Sequence, residues 1–385
     1  MWFLTLALDI GAYALWTLSS NYTVAPGDKP RGRHKVDKWQ AEQNIDFSQV
    51  PARQHYTNDA FYNWVPAQAP FSIFTGEDRS GRVGLISLPT NLKYQLATTI
   101  SEDLNTYNGI DGFVGFGPEF AQVSYAHEIE AHARSSSQTL MTQLQTVGLI
   151  TPLVKTFVIS PFHLKGHAPR LWMGVWDWPD VENTHPELVA AYTFELKRRE
   201  LVIPTVPKHR DSLVTVWAVR LREVNIYDVE SHAHVETLFE DSRGVNTRLD
   251  TGTELAFLPE QFFDKVTTSP TISVEAHYAG GTLSKYTIRQ PGNLPHRFWL
   301  QLGFQIRGGT VGYILVAPLC SALTYRNTRR SGTNESVFAA LPTFVVPRLG
   351  QTTALIGLNW LKYLWVSYRD KLPDVPEVAM LPGHK

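Results

Sequence analysis

Leu249-Asp250-Thr251-Gly252-Thr253, followed by Leu255-Ala256-Phe257-Leu258-Pro259, is the second writing of a pattern that first occurs near the start of the chain. The first writing is Leu8-Asp9-Ile10-Gly11-Ala12, followed by Leu15-Trp16 and Leu18-Ser19-Ser20. Each sets one acidic residue beside a glycine, with apolar residues close by. An apolar approach predicts a buried strand, and the glycine permits the tight turn that leaves the carboxylate at the strand tip. One such element carries little information. Two of them point to a duplicated protein with a pair of facing carboxylates.

The duplication extends further along each half. Asp111-Gly112-Phe113-Val114-Gly115 in the first half answers to Leu355-Ile356-Gly357 in the second. Gly115 stands 106 residues after Asp9 (115 − 9), and Gly357 stands 107 after Asp250 (357 − 250). Matching intervals of this kind predict two homologous lobes, 1–195 and 196–385, with a linker within the Pro-, His- and charge-rich stretch 180–211. Short apolar or alternating runs predict strands at Phe71-Ser72-Ile73-Phe74, Val83 to Leu88, Leu171 to Trp176 and Leu213 to Val219. Helical spacing is confined to Thr139 to Leu149, Pro259 to Val266 and Leu358 to Leu364. The stretches 21–70 and parts of 291–347 read as loop-like surface inserts.

The composition fits such a fold and excludes several others. The 385 residues are 43% apolar and 18% charged, with 19 Phe, 15 Tyr and 11 Trp, which is enough to fill large cores and excludes a disordered or fibrous chain. A net charge of −1 with scattered basic residues supports no nucleic-acid footprint, and Arg31-Gly32-Arg33-His34-Lys35 reads as a solvated loop. The single Cys320 cannot form an internal disulfide. Asn21-Tyr22-Thr23 and Asn334-Glu335-Ser336 are glycosylation triplets that matter only in a secreted chain. Residues 1–18 resemble a signal-peptide core, but Asp9 interrupts them and no basic segment precedes them, so they read as a core strand and not as a membrane span.

In combination these segments resemble the pepsin-like aspartic peptidase family. Phe3 to Ala12 with Leu15-Trp16 is similar to the family's first active-site strand and its following tryptophan. Phe71 to Gly84 resembles the flap hairpin, and Asp111 to Gly117 resembles the segment behind the first aspartate loop. Gly174-Val175-Trp176-Asp177 is similar to the strands joining the lobes, and Trp217 to Leu221 resembles an early strand of the second lobe. Asp250-Thr251-Gly252-Thr253 is the family's second motif unaltered, with Leu355-Ile356-Gly357 as its partner. The resemblance implies a mostly β, bilobal fold with few short helices, in which two homologous barrel-like lobes flank a substrate cleft. It also implies a monomeric, secreted or vacuolar endopeptidase that needs no cofactor or metal and takes a polypeptide as its substrate. The family has a strand ahead of Asp9 that is missing here, which implies an N-terminally truncated sequence.

The resemblance assigns Asp9 and Asp250 as the catalytic pair. Substrate contacts fall to Gly11, Phe74, Thr75, Gly76, Gly252 and Thr253, and Ile10, Thr251 and Ala12 stand where the family supports its dyad. Three departures stand out. The family carries Thr or Ser after each aspartate, whose hydroxyl bonds across to the opposite loop; Thr251 can do this and Ile10 cannot. Ala12 replaces the usual Ser or Thr, a milder change. The flap lacks the family's tyrosine, since the equivalent position is Thr75 or Phe74. Weakened proteolysis and a catalytically inactive protein that binds polypeptides are both compatible with these changes.

Other chemistries find no support in the sequence. His127-Glu128-Ile129-Glu130-Ala131-His132 resembles a zinc-protease helix, but its histidines are five apart and leave one helix face. His232-Ala233-His234 has no third ligand nearby and reads as a solvated loop. Trp16 and Trp217 read as core aromatics. Glycine-rich phosphate loops and Ser-His-Asp signatures are absent.

Overall fold

The computed structural model describes residues 6–10, 14–25, 51–55, 60–77, 83–105, 110–117, 139–150, 155–161, 171–174, 200–206, 217–279, 282–288, 294–326, 336–343, 353–370 and 376–383. They fall into two compact units, one within residues 6–150 and one comprising 155–206 and 217–383. The expected lobe boundary at 195/196, most of the expected linker and the His127–His132 segment lie outside the described residues.

Among the described residues the first unit is one sheet with two short helices. Its strands are β1 (Leu6–Asp9), β2 (Leu15–Ala25), β3 (Ala52–His55), β4 (Phe61–Glu77), β5 (Val83–Ser101) and β6 (Gly112–Gly115), in the order β1-β6-β2-β5-β4-β3. Helix α1 (Glu102–Asn105) follows β5, and α2 (Leu140–Thr146) starts on Thr139, whose hydroxyl accepts the Thr142 N–H at 3.1 Å as a side-chain cap. Strand β6 is threaded between β1 and β2. It runs parallel to β1 with Asp9 opposite Gly115, and antiparallel to β2 with Trp16 opposite Phe113. Trp16 stacks on Tyr62 and Phe113 with ring centroids 4.6 and 5.2 Å apart, and all three are buried. The core of this unit therefore lies directly behind the Asp9 turn, and Trp16 is the core aromatic the sequence implies.

The expected insert at 21–70 is in part core structure. Asn21 to Ala25 continue β2, and β4 starts at Phe61 with Tyr62, Trp64, Val65, Ala67 and Ala69 buried. Pro66 and Pro70 hide this alternation in the sequence because prolines break most strands. Here β3 pairs with β4 only as far as Trp64, so among the described residues the prolines lie where β4 is bonded to β5 alone.

Among the described residues the second unit contains three sheets. Its strands are β7 (Lys155–Ile159), β8 (Leu171–Met173), β9 (Leu201–Pro204), β10 (Ala218–Asp228), β11 (Ala233–Asp250), β12 (Ala256–Leu258), β13 (Val274–Ala279), β14 (Thr282–Ile288), β15 (Phe298–Gln305), β16 (Val311–Pro318), β17 (Thr324–Arg326), β18 (Ser336–Phe338), β19 (Ala340–Pro342), β20 (Thr353–Gly357), β21 (Leu364–Asp370) and β22 (Glu377–Pro382). The helices are α3 (Glu260–Thr268), α4 (Leu319–Ala322) and α5 (Leu358–Leu361). The seven-stranded sheet has the order β16-β15-β10-β11-β20-β12-β19, the four-stranded sheet β13-β14-β18-β17, and the five-stranded sheet β8-β7-β21-β22-β9. Strands β15 and β16 correct the reading of 291–347 as partly insert. Leu300, Leu302, Phe304, Ile314 and Val316 alternate inward and are buried, a strong strand signal obscured by the glycine turn between them.

The seven-stranded sheet repeats the threading of the first unit. Strand β20 lies between β11 and β12, parallel to β11 with Asp250 opposite Gly357, and antiparallel to β12. The spacings of 106 and 107 residues thus mark register partners in both units. The threaded strands pass so close to neighbouring backbone that glycine is required. A Cβ on Gly112 would stand 2.0 Å from the Trp16 carbonyl oxygen, and one on Gly357 would stand 2.2 Å from that of Leu255.

Among the described residues no helix is long and apolar enough to cross a membrane. Because the obstacle at Gly112 is backbone, the neighbours cannot relieve it by turning a side chain. Gly112→Ala is expected to destabilise the protein by about 1–3 kcal/mol, the usual cost of overpacking. Urea unfolding measures this, and an unchanged midpoint would show that β6 does not run against Trp16 as described.

Candidate active site

Asp250 ends β11 and opens a tight turn that folds back onto its own carboxylate. The Gly252 N–H donates to Oδ1 at 2.8 Å, and the Thr253 hydroxyl donates to Oδ2 at 2.9 Å. Both carboxylate oxygens are therefore held from within a four-residue loop. Hydrogen bonds to a charged acceptor favour its ionised form and fix its orientation.

Helix α5 fastens the loop from the other side. The first N–H groups of a helix lack partners inside it. Here those of Leu358 and Asn359 donate to the carbonyls of Thr253 and Glu254 at 2.7 and 2.9 Å. The Asn359 amide and the Trp360 indole N–H both donate to the Ala322 carbonyl, at 3.0 and 2.9 Å, tying α5 to α4. Lys362, just past α5, donates to Asn359 Oδ1 at 2.7 Å; burial holds its ammonium below the ordinary lysine value, partly offset by the charge of Glu254.

The Asp9 turn is built from the same topology with different bonds. Asp9 ends β1, is buried, and its carbonyl accepts the Phe116 N–H at 2.9 Å. The Gly115 N–H donates to the Ala14 carbonyl at 2.9 Å, and the Leu18 N–H to that of Asp111 at 2.8 Å, which pins β6 between the two flanks of the turn. Ile10 is fully buried, whereas Thr251, its counterpart after Asp250, is half-buried. An apolar side chain thus fills the position where the second loop carries a hydroxyl. Gly11 and Ala12 lie outside the described residues.

The expected hairpin exists as paired backbone. Strand β4 meets β5 with Phe74 opposite Leu85 and Gly76 opposite Gly84, and Thr75 falls in the register shift between them. A bulge at this point re-aims the chain. The described side chains hold no group of three or more metal-binding residues. His232 ends an exposed turn, but His234 lies in the exposed start of β11, opposite Tyr227, with its Nε2 2.9 Å from the Thr237 hydroxyl, so the solvated-loop reading holds only for His232.

One group near Asp250 belongs to no motif. Tyr368, on β21, is fully buried, and burial pushes its hydroxyl well above the ordinary tyrosine value, with the Asp250 charge adding to the effect. No spacing rule links it to the aspartate; its ring packs on Trp217, whose carbonyl accepts the Leu249 N–H.

No protein-family model matches the sequence, and no curated protein does. Among solved structures, the chain is similar to the aspartic proteinase from Irpex lacteus, with a TM-score of 0.59 and 14% identity over 98% of this chain and 89% of that one. At this identity the likeness shows the fold, which is that of the pepsin-like aspartic proteinases.

Removing the hydroxyl that holds Asp250 Oδ2 should be felt in stability. Thr253→Val is expected to cost roughly 1.5–3 kcal/mol, the range for a hydrogen bond to a charged group. Thr253→Ser should keep most of it. Equal urea midpoints for the Val and Ser variants would contradict the bond.

Proposed function

We propose that this chain is an aspartic-type endopeptidase in which Asp9 and Asp250 act together on one water. The observation that carries the reading is the repeated threading of the two turns. In each, an aspartate ends a strand in parallel register with a glycine on the threaded strand, Asp9 with Gly115 and Asp250 with Gly357. The fold shared with the Irpex lacteus aspartic proteinase supports the same conclusion.

The chemistry follows from two neighbouring carboxyl groups that cannot both ionise. They share a proton, and their apparent pKa values split and belong to the pair. The ionised member takes a proton from water as its oxygen adds to the peptide carbonyl carbon. The protonated member gives its proton to the carbonyl oxygen, forming a gem-diol. The C–N bond then breaks as the carboxyl that took the water proton gives it to the amide nitrogen, while the other carboxylate takes a proton from the gem-diol and the shared-proton pair is restored. Substrate lies extended in the cleft expected between the lobes, with bulky apolar side chains flanking the cut bond. Phe74, Thr75, Gly76, Gly252 and Thr253 line its path, and secretion or vacuolar delivery suits such an activity.

Ile10 favours a second reading, a pepsin-fold protein that binds polypeptides without cutting them. A loop without the cross-bonding hydroxyl positions its carboxylate less firmly, and rate depends steeply on position. The two readings separate on incubation of the protein with unfolded globin at acid pH, with and without a statine-type inhibitor. The endopeptidase reading expects inhibitor-sensitive cleavage that Asp250→Asn abolishes and Ile10→Thr increases, by about tenfold or more. Binding of globin without cleavage, in Ile10→Thr as in the original chain, would favour the second reading.

A further inference from the structure

The clamp on the Asp250 loop is a helix too short to stand alone. Helix α5 has four residues, and a helix of that length is not stable in water by itself. Gly357 before it supplies no side-chain cap, so its first N–H groups turn to the loop. Leu358 donates to the Thr253 carbonyl at 2.7 Å, and Asn359 to that of Glu254 at 2.9 Å. Thr253 is also the residue whose hydroxyl holds Asp250 Oδ2. Whatever fixes the start of α5 therefore acts on the carboxylate through Thr253.

Asn359 has the geometry to do so. Its side chain is buried, yet both ends of the amide are matched. Nδ2 donates to the Ala322 carbonyl at 3.0 Å, and Oδ1 accepts from the Lys362 ammonium at 2.7 Å. An ammonium only donates and a carbonyl only accepts, so the amide fits in one orientation. A carboxylate here would set oxygen against the Ala322 carbonyl, and an apolar side chain would take this acceptor from a half-buried ammonium. Ala322 ends α4, where the last carbonyls lack partners inside the helix. The Trp360 indole N–H and the Tyr363 hydroxyl tie the later part of α5 to the same place, donating to the carbonyls of Ala322 and Ser321 at 2.9 and 3.3 Å. Asn359 differs from both, because it grips α4 with its side chain and the loop with its own N–H.

We propose that Asn359 is a positioning residue for Asp250. Its amide anchors the start of α5 to α4, so that the Leu358 and Asn359 N–H groups hold the Thr253 and Glu254 carbonyls and keep Thr253 aligned on the carboxylate. The catalytic meaning of this inference rests on the endopeptidase reading, whereas the brace itself lies within the second unit.

Asn359→Leu keeps the bulk and removes both amide bonds. A double variant, Asn359→Leu with Lys362→Met, also removes the ammonium that would be stranded, and it serves if the single variant does not fold. Hydrogen exchange of the full-length protein reads the brace directly. The Leu358 and Asn359 N–H groups should exchange about tenfold faster in either variant, while the amides of β10 and β15 keep their protection. In parallel, kcat toward unfolded globin should fall by about tenfold with KM unchanged, and Lys362→Met should not restore it. Unchanged exchange at Leu358 and Asn359 would overturn the proposal. So would an equal rise across β10 and β15, the mark of general loosening, or faster local exchange with no fall in kcat. Should the original protein cleave nothing, the endopeptidase reading falls alone, because the exchange rates still decide whether Asn359 braces the loop.

Discussion

Two close backbone approaches govern where the aspartates sit. Strand β6 reaches its place between β1 and β2 because Gly112 lies against the Trp16 carbonyl. Strand β20 reaches its place between β11 and β12 because Gly357 lies against the carbonyls of Leu255 and Thr253. Neither gap admits a Cβ. Once the threaded strands are in position, parallel pairing sets Asp9 opposite Gly115 and Asp250 opposite Gly357, and the turns that follow have little freedom. The stacking of Trp16 with Tyr62 and Phe113 supports the first turn from behind. Trp217, Phe157 and Tyr368 do the same for the second.

The shared frame carries two unequal loops. At Asp250 both carboxylate oxygens are bonded inside the loop, and α5 adds two N–H bonds to its carbonyls. At Asp9 the neighbouring side chain is a fully buried isoleucine. In the proposed chemistry the first loop keeps its carboxylate but is held by packing where its counterpart has a hydroxyl. Packing is strong but not directional, so it can preserve the fold while loosening the alignment that rate requires.

Much of this was legible in the residues because it depends on local chemistry and on counting. Asp-x-Gly at the end of an apolar run signals a strand tip, and the paired intervals ending at Gly115 and Gly357 signal register. The helix expected over Thr139 to Leu149, found at Leu140–Thr146, followed from apolar spacing, and the one begun by Pro259 from its opening proline. Strand β4 was hidden because Pro66 and Pro70 read as breakers until its pairing is known. Strands β15 and β16 were hidden by the glycine turn at Gly308 and Gly309, which both take positive φ. Tyr368 was out of reach altogether, since its contact with Trp217 is a packing of rings from two different sheets that no motif encodes.

The central claim is that Asp9 and Asp250 serve one site. Calorimetric titration of the full-length protein with a statine-type inhibitor tests it most directly, because binding can be read even where turnover is slow. A transition-state analogue that requires both carboxyl groups should bind one per chain and lose affinity by about a hundredfold or more in Asp9→Asn and in Asp250→Asn alike. Undiminished affinity in either variant would contradict the claim.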